Sequence, residues 1–181
     1  KLSCETAVFE GSQGMLIDET FGTAPYNTWS DVTLRAAQDA LQDLQIEKVF
    51  NLGITRTFAT RHGPGPFPTE IAGATIQGDH NQHNEWQGAF RVGKLDLNSL
   101  SYAVKNVGAK LDGIALTWTD RQPAGCEIDT DECIESIELA TDTLVTMESH
   151  GPTNQRQDDC RRIGVGQSVS IYGHSGLRWL S

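Results

Sequence analysis

Apolar residues along the chain follow two spacings, which predict alternating strands and helices. Apolar side chains recur at roughly helical intervals in three stretches, residues 31–44, 97–107 and 127–142. Short runs rich in β-branched or aromatic residues predict strands at residues 6–10, 48–60, 114–119, 144–147 and 169–172. This alternation predicts an α/β protein with a mainly parallel sheet flanked by helices.

No apolar period is visible in residues 61–95, which predicts a long loop region. Prolines and glycines cluster at its start: Gly63, Pro64, Gly65, Pro66 and Pro68. Loops of this length inside a compact domain are uncommon unless they carry function. We therefore expect a ligand site here and at the polar turns that follow the strands.

Composition narrows the class of protein. A length of 181 residues with 38% hydrophobic residues is enough for one domain with its own core. The 14 basic and 24 acidic residues give a formal net charge of -10, which argues against duplex nucleic acid or an anionic membrane as a partner. No apolar run reaches about 18 residues and the N-terminus lacks a signal-peptide pattern, so we expect a soluble, cytoplasmic protein.

The patterns typical of metal sites are weak. The four cysteines show no CxxC spacing, so we expect reduced, packed thiols and no zinc site. His80 and His83 have a His-x-x-His spacing, but no third ligand is evident, and surface polarity explains them better.

The third predicted helix is strongly acidic. Seven acidic residues and no basic residue lie between Glu127 and Asp142, while Ile134 and Ile137 keep an apolar face. We interpret this segment as a helix with a solvated acidic face. The alternative is a docking surface for a basic partner, in an interaction protein without catalysis.

Several blocks of unusual composition follow one another along the chain. They are EGSQG at residues 10–14, GTAPY at 22–26, ATRHGPGPFPTE at 59–70, NEW at 84–86, RVGKLD at 91–96, LTWTD at 116–120 and IELATDTLVTMESHGPT at 137–153. In the same order they resemble the strings EGAQG, GTYPY, STRVGxGPFPTE, NEF, RTGWLD, LTKLD and IEELTG…ISTGPDR of the adenylosuccinate synthetases.

The resemblance implies a partial adenylosuccinate-synthetase-like, P-loop-type nucleotide-binding fold and a ligation in two steps. GTP with Mg²⁺ phosphorylates the 6-oxo group of a purine monophosphate, IMP, and the amino group of L-aspartate then displaces the phosphate. An amide-like oxygen is a poor leaving group until it is phosphorylated and its developing charge is neutralised. The family is typically a homodimer, so the resemblance also implies self-association.

The resemblance assigns roles to individual residues in three groups. The residues matched to the purine monophosphate are Gln13, Asp18, Thr23, Thr28, Arg61 and His62. Arg91 matches a loop arginine that grips the carboxylates of L-aspartate, for which a planar guanidinium is well suited. The residues matched to the base of the nucleoside triphosphate are Asp120, Ser149 and Gly151.

Some of these residues have simpler interpretations. Gln13 and Asp120 could cap turns, although the motifs favour a ligand role. Arg61 is as well suited to shaping the proline loop as to binding a ligand. We favour a functional role for Arg91, because it stands in a glycine-rich loop.

The sequence also departs from the family pattern. The GDEGKG phosphate loop of the family is absent, so we expect the catalytic residues and the Mg²⁺ ligands to lie outside this chain. Residues 1–160 then correspond to the C-terminal portion of a family domain, and residues 161–181 to an extension of unknown role. Such a chain is part of a longer ligase and inactive alone, or one part of a split enzyme that another chain completes, or a purine-nucleotide-binding module without catalysis.

Further departures concern substrate recognition. The segment before Asp96 is shorter and has one arginine, Trp118 stands where the guanine-site lysine is expected, and His62 replaces a valine. The short loop is similar to the phage-encoded branch of the family, which joins L-aspartate to dGMP. The alternative substrates are therefore dGMP with ATP in place of IMP with GTP.

Overall fold

The computed structural model describes residues 8–11, 13–44, 46, 48–76, 85–86, 88–151, 157–158 and 168–173. Within these residues the strands are β1 (Phe9–Gly11), β2 (Val49–Arg56), β3 (Phe58–His62), β4 (Phe90–Lys94), β5 (Gly113–Thr117), β6 (Val145–Ser149), β7 (Gln157–Asp158) and β8 (Ser168–Gly173). The helices are α1 (Arg35–Asp43), α2 (Leu97–Asn106) and α3 (Thr130–Thr141), and a short 3-10 turn spans Met15–Ile17.

Six of the strands form one sheet in the order β1-β8-β2-β5-β6-β7. All neighbouring pairs are parallel except β6 and β7, which are antiparallel. The predicted α/β fold with a mainly parallel sheet is therefore confirmed. Because the carboxyl ends of parallel strands meet at one edge, the turns after β2, β5 and β6 lie on the same side of the sheet.

Strand β8 lies between β1 and β2, where Ser168 pairs with Val49 and Ser170 pairs with both Phe9 and Asn51. It confirms the strand expected at residues 169–172. These residues belong to the expected extension 161–181, yet they share the sheet with the residues before 160. The domain boundary at residue 160 stays a prediction.

The main core lies between the sheet and helices α2 and α3. It comprises Leu34, Val107, Leu111, Ile114, Leu116, Cys133, Ile137 and Val145. Strand β5 is buried along its whole length, as expected of a central parallel strand covered on both faces. Leu116 and Ile137 have no exposed surface, so the acidic third helix is amphipathic as predicted, with its apolar face in this core.

Helices α2 and α3 are confirmed, and their starts follow from N-caps. The Asp96 carboxylate accepts hydrogen bonds from the backbone N–H groups of Asn98 and Ser99, both at 3.1 Å. The Asp129 carboxylate does the same for Asp131 and Glu132, at 3.0 and 3.2 Å. Each cap satisfies two amides that have no partner within the helix.

Helix α1 begins at Arg35, not at residue 31 as predicted. Asp31 caps an earlier turn, because its Oδ1 accepts from the Thr33 backbone N–H at 2.8 Å. Val32 and Leu34 are buried, and both precede the helix, with Leu34 as its N-cap residue. Their apolar spacing continues the helical pattern toward the N-terminus, so the sequence predicted too early a start for the helix.

The loop expected over residues 61–95 is wrong at both ends. Strands β3 and β4 form a separate antiparallel pair in which Phe58 lies opposite Lys94 and His62 opposite Phe90. The strand expected over residues 48–60 is likewise two strands, which separate at Thr57. The β3–β4 pair is largely half-buried, so neither strand has the apolar run that identifies a strand from sequence.

The opening strand is shorter and more exposed than expected. Strand β1 covers three residues at the edge of the sheet, and Val8 beside it is 58% exposed. The Cys126 and Cys133 thiols are free and buried, in line with the expectation for them, and burial raises the pKa of Cys133 to about 11. The predictions for His80, His83, Cys4 and Cys160 lie outside the described residues. None of the helices in the described part of the chain has the length and apolar character to cross a bilayer.

Candidate functional site

Asp18 anchors the segment that follows β1. Its Oδ1 accepts from the backbone N–H groups of Thr20 and Phe21, and its Oδ2 accepts from that of Val32, each at 2.8 Å. Burial raises the pKa of this carboxyl, but the three amides and the nearby Arg35 outweigh it, so the pKa is lowered from its usual value. With 1% exposure, the Asp18 side chain organises the segment from within and presents little surface to a ligand.

The other residues of this segment surround that anchor. Gln13 is exposed and has a φ of 70°, a left-handed conformation that turns the chain after β1. Thr23 is exposed and begins a turn, since its carbonyl accepts from the Tyr26 N–H at 2.8 Å. The Thr28 N–H donates to the Ile17 carbonyl at 2.7 Å, which folds the segment back on itself. The ligand roles of these three residues stay predictions.

Arg61 joins two of the motif blocks. Its side chain extends from β3, where Nε donates to the Pro64 carbonyl at 3.0 Å and Nη2 to the Tyr26 carbonyl at 3.3 Å. Burial and the neighbouring Arg91 lower the pKa of Arg61, with Tyr26 acting in the opposite direction. Gly65 beside it has a φ of 116°, which favours glycine, and a Cβ there would displace the guanidinium. Arg61 therefore shapes the proline loop and keeps its charge at the loop surface.

Arg91 stands in strand β4, not in a glycine-rich loop as expected, and all three nitrogens of its guanidinium donate hydrogen bonds. Nε and Nη2 donate to the two carboxylate oxygens of Glu70 at 2.8 and 2.5 Å, and Nη1 donates to the carbonyls of Gly63 and Gly65 at 3.0 and 2.9 Å. The hydrogen bonds to Glu70 raise the pKa of Arg91 although burial opposes this. A planar guanidinium is suited to such a fork, so Arg91 holds the loop in place.

An open cavity of ≈ 390 Å³ lies between the two ends of the loop that joins β3 to β4. It is lined by Gly63, Pro64, Gly65, Gly88, Ala89 and Arg91. Gly63 and Gly88 have φ values of 70° and 74°, and a Cβ on Gly88 would lie 3.2 Å from the Gly63 Cα. Three of the six lining residues, Gly63, Gly65 and Gly88, therefore contribute only backbone to the cavity.

His62 lies beside this loop, at the end of β3. Its ring packs edge-on against Phe90 with a centroid distance of 4.7 Å. Its Nδ1 is buried and has no hydrogen-bond partner within the described part of the chain. Burial, with a smaller contribution from Arg56, lowers the pKa of His62 below its usual value. The ring is therefore predominantly neutral at neutral pH.

The three residues expected at the triphosphate base lie together at the carboxyl ends of β5 and β6. Thr117 at the end of β5 pairs with Ser149 at the end of β6. Asp120 follows β5, and its Oδ2 lies 3.6 Å from the Nε of the exposed Arg121. The Ser149 Oγ donates to the Gly151 carbonyl at 3.4 Å, and Gly151 has a φ of 143°.

Trp118 separates this edge from the β3–β4 pair. It has a φ of 64°, which is uncommon for a bulky residue and places its side chain against Phe58, with a ring centroid distance of 5.6 Å and an angle of 87°. The Thr57 hydroxyl donates to the Trp118 carbonyl at 3.0 Å. The indole thus packs against the apolar cluster of Phe58, Val92 and Cys126. A lysine at this position would be suited to reach a ligand.

Sequence reasoning missed several residues of these two regions. The Glu70 carboxylate pairs with Arg91, the Tyr26 carbonyl accepts from Arg61, and the Thr119 hydroxyl contacts His150. The members of each contact are 21 to 35 residues apart, so only the fold brings them together. Across the residues that the structure describes, no group of three or more His, Cys, Asp or Glu side chains could hold a metal ion.

Comparison with known proteins identifies relatives. The family model described as adenylosuccinate synthetase matches residues 3–129. The adenylosuccinate synthetase of Aquifex aeolicus is 35% identical over 121 residues, which cover 64% of this chain and 28% of the relative. That of Thermus thermophilus is 37% identical over 119 residues, with 62% and 28% covered. The matched part of the chain thus spans about a quarter of these relatives.

Solved structures show a similar fold. One is the cyanophage S-2L succinoaminodeoxyadenylate synthetase PurZ, bound to dGMP and dATP as an energy donor. The TM-score is 0.56 at 19% sequence identity, and the match covers 84% of this chain and 45% of that chain. Another is the fully ligated adenylosuccinate synthetase from Plasmodium falciparum, with a TM-score of 0.58, 20% identity, and 81% and 48% covered. With the family model covering most of its length, the chain belongs to the adenylosuccinate synthetase family.

Proposed function

We propose that this chain is the part of a carbon–nitrogen ligase that binds a purine monophosphate and the base of a nucleoside triphosphate. The complete reaction joins L-aspartate to the 6-position of IMP with hydrolysis of GTP. In this proposal the loop after β3 and the segment after β1 hold the monophosphate, while the carboxyl ends of β5 and β6 hold the triphosphate base.

The observation that carries the proposal is the contact between Arg61 and Tyr26. Two motif blocks that are 35 residues apart meet there. The Arg61 guanidinium donates to two backbone carbonyls and has no carboxylate partner within the described residues. A half-buried cation with this set of partners, beside a glycine-rich cavity, is suited to a ligand that carries an anionic or polar group.

Arg91 has a different role in this proposal from the one the resemblance implies. Its donors are engaged by Glu70 and by two loop carbonyls. L-aspartate would have to displace Glu70 to bind the same fork. We therefore assign Arg91 to holding the loop, and binding of the L-aspartate carboxylates by Arg91 requires that exchange.

Mg²⁺ accompanies the reaction in this proposal, as a property of the family. The described residues do not supply a set of ligands for it, because no group of three or more carboxylate, imidazole or thiol side chains is present among them. No step at Mg²⁺ is therefore assigned to the residues of this chain.

The experiment is a calorimetric titration of the 181-residue chain with IMP and with inosine, which lacks the phosphate. Arg61→Gln should weaken IMP binding by about tenfold to a hundredfold, since a hydrogen bond from a charged group contributes about 1.5–3 kcal/mol. The control is Lys105→Gln, which removes an exposed positive charge from the last turn of α2 and should leave binding unchanged. If the wild-type chain binds neither ligand, or if both variants lose the same affinity, the proposal is wrong.

Catalysis is tested separately from binding. Mixing this chain with the N-terminal half of a relative should give phosphate release that depends on L-aspartate. Binding without such turnover would favour the alternative of a nucleotide-binding module that does not catalyse the reaction.

The second candidate function uses dGMP and ATP. It is favoured by Trp118, which stands where the family resemblance has the guanine-site lysine and packs against Phe58 instead of pointing to the base site. The same titration with dGMP and with IMP, in the presence of ATP or GTP, separates the two candidates. If the chain binds dGMP more tightly than IMP, and does so together with ATP, then dGMP and ATP are the substrates in place of IMP and GTP.

A further inference from the structure

Three polar side chains form a connected group just beyond β5 and β6. The Thr119 Oγ1 lies 2.6 Å from the His150 Nδ1 and donates to the Ser149 carbonyl at 3.1 Å. The His150 Nε2 lies 3.5 Å from a carboxylate oxygen of Glu148.

The hydrogen-bond pattern matches one tautomer of His150. A threonine hydroxyl has a single proton, and a proton directed to the Ser149 carbonyl leaves the hydroxyl oxygen to accept from His150. This arrangement corresponds to the tautomer with a hydrogen on Nδ1. The Nε2 side of the ring faces the Glu148 carboxylate.

This group connects the two segments to which the triphosphate base is assigned. Thr119 directly precedes Asp120, and His150 lies between Ser149 and Gly151. The Thr119 backbone N–H also donates to the Ser149 carbonyl, at 3.4 Å. The distance between Asp120 on one side and Ser149 with Gly151 on the other therefore depends on Thr119 and His150.

All three members differ from the family strings at their positions. Thr119 stands where LTKLD has Leu, and His150 and Glu148 stand where ISTG has Thr and Ile. The Leu, Thr and Ile of those strings include no imidazole and no carboxylate, so they could not form this contact. The replacement of the lysine by Trp118 lies in the same turn and also alters the side chains available to a base.

We propose that Thr119 and His150 are positioning residues that set which purine base of a nucleoside triphosphate this edge accepts. We name the pair the Thr119–His150 latch. It holds Asp120 at a fixed position relative to Ser149 and Gly151, and Glu148 orients the imidazole. This inference rests on the proposed function, because it concerns the same base site.

The test uses variants that keep or remove single hydrogen-bonding groups. Thr119→Val removes the hydroxyl without changing the side-chain shape, whereas Thr119→Ser keeps it. His150→Asn keeps a donor near the Nδ1 position, whereas His150→Gln moves the amide to the Nε2 position. The affinities of the 181-residue chain for ATP, GTP and IMP are measured by calorimetry, with thermal unfolding of each variant as a check on folding.

The latch predicts a change in the ratio of ATP to GTP affinity by about tenfold in Thr119→Val and in His150→Gln. Thr119→Ser and His150→Asn should keep the wild-type ratio, and the affinity for IMP should stay constant in all four variants. If one variant fails to fold, the variant at the other position carries the test.

The contrary results separate the latch from the function on which it rests. A wild-type ratio in Thr119→Val and His150→Gln, even with lower thermal stability, would overturn the latch and leave the base site intact. A wild-type chain that binds IMP but neither triphosphate would overturn the base site and the latch together.

Discussion

At the scale of single residues, two arginines that face each other across β3 and β4 have different roles. Arg61 and Arg91 are directly paired in register, and like charges so placed destabilise a sheet unless they are compensated. Glu70 compensates Arg91 through a bidentate pair, whereas Arg61 donates to carbonyls only. The sequence indicated Arg61 for ligand binding or loop shaping. The ion pair of Glu70 with Arg91 could not be predicted from the sequence, because the two side chains meet only once β3 and β4 have paired.

At the residue scale, the prediction concerns the contribution of Asp18 to the stability of the fold. Asp18→Asn places an amide NH₂ against backbone N–H donors, so at least one buried hydrogen bond is lost and a donor faces a donor. We expect the free energy of unfolding at about pH 7 to fall by about 1–3 kcal/mol. Urea unfolding measures this, with the exposed Asp39→Asn on α1 as the control that should have no comparable effect.

The effect of Asp18 should also depend on pH in a defined direction. Because the folded-state pKa of Asp18 is lowered, the carboxylate stabilises the fold above the unfolded-state pKa of about 3.9 and loses this contribution as the pH falls through the folded pKa. The difference between wild type and Asp18→Asn should therefore narrow below about pH 4. A difference that stays constant from neutral to acidic pH would contradict the assigned role.

At the scale of elements, the prediction from sequence was best where a local signal and the packing agree. Helices α2 and α3 begin at an aspartate N-cap and keep an apolar face, so their positions follow from the sequence. The β3–β4 pair has neither signal, and its stability comes from contacts such as Phe58 with Trp118 and Arg91 with Glu70. The place of β8 between β1 and β2 also could not be predicted, because parallel partners are selected by tertiary packing.

The variant Gly93→Ala tests whether the close approach of residues 69–70 to β4 stabilises the β3–β4 pair. Glu70 forms a bridge with Gly93, the Lys94 N–H donates to the Thr69 carbonyl at 3.0 Å, and a Cβ on Gly93 would collide with that carbonyl. We expect Gly93→Ala to displace residues 69–70 and to release Arg91 from Glu70. Amide hydrogen exchange should accelerate in β3 and β4 while β5 stays protected.

A matched control for this variant is Gly73→Ala. Gly73 has a φ of 78° but no atom within 4 Å of an added Cβ, so alanine there meets backbone strain without a steric clash. Gly73→Ala should cost about 1 kcal/mol and leave the exchange of β3 and β4 unchanged. If amide exchange in β3 and β4 accelerates equally in both variants, the close approach of the Thr69 carbonyl to Gly93 does not stabilise the β3–β4 pair.

At the scale of the whole molecule, charge and exposed apolar surface act against each other in self-association. The net charge of -10 makes two copies repel, and the acidic helix α3 concentrates that charge on one face. Trp29 is 96% exposed and Leu139, on α3, is 89% exposed. A contact through Leu139 would bring two acidic helices together, so Trp29 is the more favourable contact for the homodimer that the family resemblance implies.

The homodimer should therefore strengthen with salt and depend on Trp29. Raising NaCl from about 0.1 M to about 1 M shortens the Debye length from roughly 10 Å to roughly 3 Å and removes most of the repulsion between copies. In sedimentation equilibrium, Trp29→Ser should weaken association by about tenfold. The control Leu139→Ser, at another largely exposed apolar residue, should leave association unchanged. A chain that stays monomeric at both salt concentrations contradicts the homodimer. Weakening by Leu139→Ser alone would place the contact on α3, and the charge argument would then be wrong.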